Sequence, residues 1–488
     1  MNAVKNSMSQ TDGRLRASYA APALLALLLI CSSCKQKRHA PADPWLKLTE
    51  IVNAVVPPVF PDKTYNINDY GAVSDGTTTN TGALKSAINA CSKDGGGTVL
   101  VPEGTYVTGP IHLEDNVNLH LSKGSELLFS KDPEDYYPLV HTSFEGTELM
   151  NFSPLVYAYR KKNIAITGEG VLNGQAGLDS WWPWCGKESY GWEEGEPNQL
   201  ASLTRLKEEM SEKGVPVSER VFGSGFHLRP SFIEPFECEN VLIQGVKIIN
   251  APFWVIHPMK SSNVTVDGVF VESHGPNNDG CDPEYSRNVV IKNAIFNTGD
   301  DCIAIKSGRN EDGRRVGIKS ENIVVQNCKM IDGHGGVVIG SEISAGVKHV
   351  YVENCQMDSP NLDRAIRIKT NSKRGGTVEH VNVRNLDVGQ VKEAVLKINL
   401  FYGIYGVQEG EFIPEVKNIN LENVTVKNGG KYGILARGYA EKPIEDITFK
   451  DVIIEKVDSA YSLENVVNLK FINTTINGKK METITDQL

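Results

Sequence analysis

The sequence predicts an all-β protein built as a β-solenoid, and three observations carry that prediction. A short pattern, roughly [Asn/His/Asp]-[Val/Ile/Leu]-x-[Val/Ile/Leu/Phe]-x-[Asn/Gly/Asp], recurs along much of the chain. Its apolar residues alternate and are largely β-branched, which is the spacing of strands and not of helices. The copies begin at Asn240, Asn263, Asn288, Asn322, His349, His380, Asn418, Asp446 and Asn468, a mean spacing of about 28 residues, as expected for one solenoid coil. A tenth copy, at Asn163, stands before an interruption. Asn and Gly at the ends of the pattern suit tight bends between strands. A β-sandwich of many short strands leaves the shared pattern unexplained. At 488 residues the chain exceeds the usual size of one domain, a limit that solenoids escape by adding coils.

In chain order, Arg14 and Arg16 precede an apolar run from Ala20 to Ile30, too short to span a bilayer and typical of a signal-peptide core. The run ends in CSSC, which resembles a bacterial lipoprotein signal with Cys34 as the lipidated residue; ordinary secretion is the alternative. Residues 1–34 are therefore expected to be a signal. The protein is expected at the cell envelope (periplasm or outer-membrane surface) or secreted, touching membrane only through the lipid. Residues 35–62, with Pro41, Pro44, Pro57, Pro58 and Pro61, read as a Pro-rich linker containing one short amphipathic segment.

The folded part is expected over 63–488, opening with TYNINDYGAVSDG. The apolar spacing of Leu84, Ala87, Ile88 and Cys91 predicts a short helix from Thr81 to Cys91, ended by Gly95–Gly97 and placed to cap the solenoid. Residues 173–230 break the repeat and are expected to leave the coil as an insertion. There Trp181, Trp182, Trp184 and Trp192 either wall a cleft and stack on a ligand or pack the insertion down. Seven of the nine cysteines follow the signal, an odd number. Cys328 and Cys355 occupy equivalent places in successive repeats, and burial as small hydrophobes is favoured there over a disulfide.

The net charge of -10 argues against nucleic acid as a partner. Chemistry concentrates in residues 277–308. Asp279, with Asp282 close behind, and the pair Asp300–Asp301 flank one strand-like run, so one coil of advance stacks them on one face. Gathered carboxylates repel, and glycoside hydrolysis is a use for them: one carboxyl protonates the leaving oxygen while another activates water. Four short stretches fall in turns after successive strands: NNDG from Asn277, GDD from Gly299, GHGG from Gly333 and RIK from Arg367. Asp300 and His334 each lie 12 residues after the start of their repeat, which places them on the same face in neighbouring coils. Each motif is weak alone; four in order on one face are specific.

On these motifs, and on the opening YNINDYGAVSDG…PEGTY, residues 63–488 resemble glycoside hydrolase family 28, the polygalacturonase family. The resemblance implies a right-handed parallel β-helix and inverting hydrolysis of α-1,4-galacturonosyl linkages in pectin, with no cofactor and a monomeric state. It makes Asp300 the general acid, with neighbouring negative charge raising its pKa. Asp279 and Asp301 hold and deprotonate the water, and His334 tunes the acid. Inversion implies a spacing of about 6.5–9.5 Å between acid and base. Arg367 and Lys369 would grip a galacturonate carboxylate, which explains how an acidic protein binds a polyanion. Asn277, Tyr402 and Lys306 would complete the substrate site. Asn278 stands where the family commonly has Thr. A bulky insertion closing one end of the groove favours exo attack.

Three alternatives remain open at this point. A Ca²⁺-dependent pectate lyase would use the aspartates as metal ligands. A hydrolase of rhamnogalacturonan or another decorated pectin would keep the motifs and reshape the outer subsites. A non-catalytic glycan-binding β-helix would be expected to lack one of the aspartates.

Overall fold

The computed structural model describes residues 43–403 and 409–488. Pro44–Leu488 form one compact unit. The expected signal, with Cys34, lies outside the described residues. Among the described residues no helix is long and apolar enough to cross a membrane.

All nine regular copies of the repeat are strands, from Glu239–Gln244 and Ser262–Asp267 through to Ile444–Ile454 and Val466–Ile472, and each pairs in parallel with the next. The register stacks like on like. Val264, Val289, Ile323, Val350, Val381, Ile419, Ile447 and Leu469 form one column through eight coils, each residue at most 1% exposed. A shift of one residue would turn every member of that column to solvent, so the alternating pattern fixes the register.

The first residue of each copy adopts a left-handed backbone, with φ between 54° and 59°. Asparagine tolerates that conformation better than most residues, because its short amide can hydrogen-bond locally. Here the amides form a ladder between coils: Asn163 donates to Asn116, Asn240 to Asn163, Asn263 to Asn240, Asn288 to Asn263 and Asn322 to Asn288, at 2.9–3.3 Å. In these coils the polar residue of the repeat is thus a bend residue whose side-chain amide donates to its own copy one coil earlier.

A second parallel sheet runs through Ile303–Ile305, Val337–Gly340, Arg364–Lys369, Ala394–Asn399, Tyr432–Arg437 and Ser459–Glu464. Its inward residues fill the coil, and its outward face forms the floor of the site described below. All seven cysteines of the described chain are buried and unpaired. At the N-terminal end α2 (Thr81–Lys93) buries Leu84, Ala87, Ile88 and Cys91 against the first coils, as its spacing predicts.

One expectation needs correction. The Pro-rich linker is not a tether throughout: Pro44–Ala54 is a helix, α1, whose Trp45, Leu48 and Ile51 pack on Val290, Val324 and Tyr351 of the outer strand face. The Arg384 guanidinium lies 4.0 Å from the centre of the Trp45 ring. Pro44 stands at the start of this helix, where a missing N–H is harmless, so its ring marks a helix start as readily as a linker.

The tryptophans of the insertion mainly anchor it. Trp181 is 2% exposed, edge-on to Tyr136 and Trp184. Trp182 Nε1 donates to the Ala251 carbonyl, and Trp192 Nε1 donates to that of Glu196. The far end of the insertion is held by Arg220, fully buried, which pairs with Asp312 and donates to the Glu148 carbonyl.

Candidate active site

The catalytic face follows from strand periodicity. Within Arg364–Lys369, Ile366 and Ile368 point into the coil, so Arg367 and Lys369 point out. Asp301 lies two residues before strand Ile303–Ile305, and Lys306 directly follows it. His334 precedes Val337–Gly340 in the next coil. Asp279 sits in the coil before, where Cys281 bridges to Ile303. Thus, with Asp301 buried against Arg367 and Lys369, the residues Asp279, Asp300, His334, Arg367, Lys369 and Lys306 meet on one face and line one cavity. Its volume of about 340 Å³ is at the small end for ligand pockets and suits a short segment of polymer.

One carboxylate oxygen from each of Asp279, Asp300 and Asp301 lies within 4.8 Å of the others. Asp301 is fully buried and faces Lys369 Nζ at 2.7 Å and Arg367 Nη1 at 3.5 Å. Two cations against one carboxylate leave one positive charge for a substrate anion. The Tyr402 ring centre is 5.4 Å from the Arg367 guanidinium and 5.3 Å from Lys369 Nζ, which places Tyr402 in the site. Asp300 Oδ1 faces His334 Nδ1 at 3.0 Å and accepts from the Asp301 backbone N–H at 3.0 Å. Lys306 Nζ lies 3.5 Å from Asp279 and 3.8 Å from Asp282. Asn277 lines the cavity, and its Oδ1 accepts from the buried Arg229 at 2.8 Å. Asn278 is fully buried and holds the turn. Its Oδ1 accepts from Ser273 Oγ and Gly275 N–H, while its Nδ2 donates to two carbonyls. The change from Thr there is one of turn chemistry.

Protonation differs from the expectation for the acid. Burial pushes Asp300 upward, but the hydrogen bond to His334, the His334 charge, Lys369 and Lys306 outweigh it and hold the carboxyl below its usual range. The His334 hydrogen bond and ion pair raise the imidazole in turn. The raised carboxyl is Asp279, pushed up to about 8 by burial and then by the Asp300 charge. Asp282 is also pushed well up, by burial first and then by Asp279. These directions favour an Asp300–His334 ion pair, with the protons of the cluster on Asp279 and Asp282. Charge repulsion was read correctly from the sequence; what it missed was that the proton settles on Asp279, which lacks the hydrogen-bonded cation that His334 gives Asp300 and Lys369 gives Asp301.

The spacing within the trio is also shorter than the inverting range expected from the resemblance. Three carboxylates this close could bracket a cation, but Lys306 and Lys369 already bring positive charge against them.

Several lining residues were not singled out in the sequence: Lys187, Tyr190, Arg309, Glu342 and Arg374, with Arg229 behind them. Glu342 follows GHGGVVIGS directly and could have been found as the next outward position of that motif. Lys187 and Tyr190 lie within the aromatic stretch between Trp184 and Trp192, in no motif of their own.

A parallel β-helix bearing three carboxylates and an imidazole between cations, on one outer face, defines a carbohydrate-cleaving enzyme. The family described as "Glycosyl hydrolases family 28" matches residues 224–475, more than half of the chain, and a profile described as "Rhamnogalacturonase A/epimerase, pectate lyase-like" matches residues 64–120. A hyperthermoactive exopolygalacturonase from Thermotoga maritima superposes with a TM-score of 0.88 at 45% identity, covering 91% of this chain and 99% of that one. A family 28 exopolygalacturonase from Yersinia enterocolitica shares the fold at 24% identity and a TM-score of 0.62, over 86% of this chain and 80% of that one. An exo-poly-alpha-D-galacturonosidase of Dickeya chrysanthemi is 27% identical over 85% of this chain and 71% of its own length. The chain belongs to glycosyl hydrolases family 28 and is a glycoside hydrolase of the polygalacturonase type.

Proposed function

We propose that the enzyme releases galacturonate from the ends of pectic homogalacturonan chains by inverting hydrolysis of α-1,4 linkages. The observation that carries the reading is the Asp279–Asp300–Asp301 trio set between cations at one cavity. The named activity of the Thermotoga relative supports exo attack.

In this reading Arg367 and Lys369 hold the carboxylate of a galacturonate next to the scissile bond, with Tyr402 beside them. Substrate seals the cleft from water. A dry site favours the neutral imidazole–carboxylic acid pair over the ion pair, so a proton moves from His334 Nδ1 to Asp300. Asp300 then protonates the glycosidic oxygen. Asp301 takes the proton of the attacking water, which Asp279 helps to position. Asn277, its oxygen engaged by Arg229, presents its amide N–H₂ to the sugar.

The short spacing of the trio favours one second reading, retention through a glycosyl-enzyme intermediate, for which carboxyls about 5–5.5 Å apart are usual. Proton NMR of the first-formed product separates the two: a β-anomeric end supports inversion, and an α-anomeric end supports retention. Asp300→Asn is expected to lower kcat by at least about 10³-fold with little change in thermal stability, since loss of acid catalysis alone removes about 10²–10⁴-fold. Near wild-type turnover in that variant would remove Asp300 from the role.

A further inference from the structure

A second cation cluster in the cleft is unexplained by the chemistry above. Lys306, Arg309 and Arg374 converge on Glu342, at 3.4, 3.7 and 3.3 Å. All four residues are more than nine-tenths buried, with exposures of 3%, 8%, 4% and 6%. Farther out, Lys207 pairs with Glu145, so that couple adds no net charge. Asp279 and Asp282, the other carboxyls near Lys306, are pushed by burial toward their neutral forms. Three buried cations therefore face one carboxylate. Such an excess is costly without an anion to meet it. Burial, and then the charge of Arg309, push Arg374 down to about 10, as expected for crowded cations. Arg309 Nε is buried and has no hydrogen-bond partner.

The position of the cluster is informative. The trio lies at the N-terminal edge of the catalytic sheet, just before Ile303–Ile305, whereas Lys306 and Arg309 follow that strand. Glu342 comes two residues after Val337–Gly340, and Arg374 five after Arg364–Lys369. The two edges lie about 10 Å apart along the strand, and Lys306 Nζ bridges them, 3.5 Å from Asp279 and 3.4 Å from Glu342. Beyond the cluster lies the hairpin of strands Val140–Phe144 and Thr147–Asn151, whose turn residue Glu145 lines the cavity. The Gly146 carbonyl at its turn accepts from the Arg309 N–H at 2.9 Å. A Cβ on Gly146 would lie 2.8 Å from Glu342 Cβ, so the turn sits directly against the cluster.

We infer that Lys306, Arg309 and Arg374, with Glu342, form the subsite for the terminal sugar and read the free carboxylate of the galacturonate at the chain end. The inference rests on the polygalacturonate reading above and adds what the closed end of the cleft recognises. The two guanidinium forks receive the uronate carboxylate. Glu342, ionised among cations, accepts hydrogen bonds from hydroxyls of the same ring. A methyl ester at that carboxyl removes the charge the cluster is built to meet.

The test compares kcat/KM of the full enzyme on trigalacturonate and on the same trimer methyl-esterified only at its non-reducing-end carboxyl. The wild type is expected to favour the free acid by on the order of 100-fold, the scale of hydrogen bonds to a charged group. Arg309→Gln is expected to abolish most of that preference, slowing the acid far more than the ester. Arg309→Lys, which keeps the charge, is expected to restore part of the preference; a purely structural arginine would show no such recovery. Equal rates on both trimers with the wild type overturn the inference, and that comparison needs no variant to fold. A preference unchanged in a folded Arg309→Gln overturns it as well. Turnover of neither trimer overturns the polygalacturonate reading itself, and the subsite with it.

Discussion

Asp279 shows how far a single residue can be read from its neighbours. Its place in NNDG and the mutual repulsion of the trio were legible in the sequence, because both follow from order and spacing. Which carboxyl keeps the proton was not legible. That depends on burial and on the His334 contact to Asp300, which only the assembled coils create. The consequence is measurable. Asp279 has a folded pKa of about 8 against an ordinary value of 3.8, so between these values the folded state binds the extra proton and stability falls as pH rises. Asp279→Asn removes that penalty. It is expected to raise the melting temperature by a few degrees at pH 8 and by little at pH 4, while severely lowering turnover. No gain at pH 8 would contradict the assignment. The same titration limits activity: kcat/KM is expected to decline as pH rises above about 8, where the trio loses its proton.

At the scale of elements, the strands and α2 were legible because the side chains repeat with the periodicity of the structure they form. The docked α1 was half visible: its amphipathic spacing could be seen, but the outer face that receives it is spread over three coils, at Val290, Val324 and Tyr351. The hairpin at the cleft gave no motif at all. One buried group ties that hairpin to the coil. His257, fully buried, lies between Glu284 at 3.0 Å and Glu234 at 3.2 Å. Thr142 Oγ1 and Ser143 Oγ, on the hairpin strand, donate to the same two carboxylates. Burial lowers the His257 pKa, but the two hydrogen-bonded glutamates outweigh it and raise it to about 9. The unfolded imidazole titrates near 6.5, so this contribution is complete below that pH and is lost as pH rises through about 9. His257→Leu strands two buried carboxylates and is expected to cost about 3–5 kcal/mol, checked by denaturant unfolding at pH 7. A change within 0.5 kcal/mol, the ordinary range for surface substitutions, would contradict the charged clasp.

For the molecule as a whole, the parallel β-helix sets the catalytic groups by translation. Each coil contributes one or two outward residues, so Asp279, Asp301 and Gly335 arrive at one height from successive turns of one chain, with Arg367 three residues farther along the next strand. This explains why the face was legible from offsets of 12 residues, whereas its closed end was not. The end is assembled from the hairpin, the insertion and the loops after three strands, none of which carries the repeat. The central claim is that the enclosed end makes the enzyme an exo-acting hydrolase. The most direct measurement digests polygalacturonic acid in the presence of a chelator, following reducing ends, ultraviolet absorbance and product sizes from the first minutes. The account predicts mono- or digalacturonate from the outset, no unsaturated chromophore, and a rate indifferent to the chelator. A ladder of intermediate oligomers early in the reaction would contradict exo attack, and a chelator-sensitive chromophore would contradict hydrolysis itself.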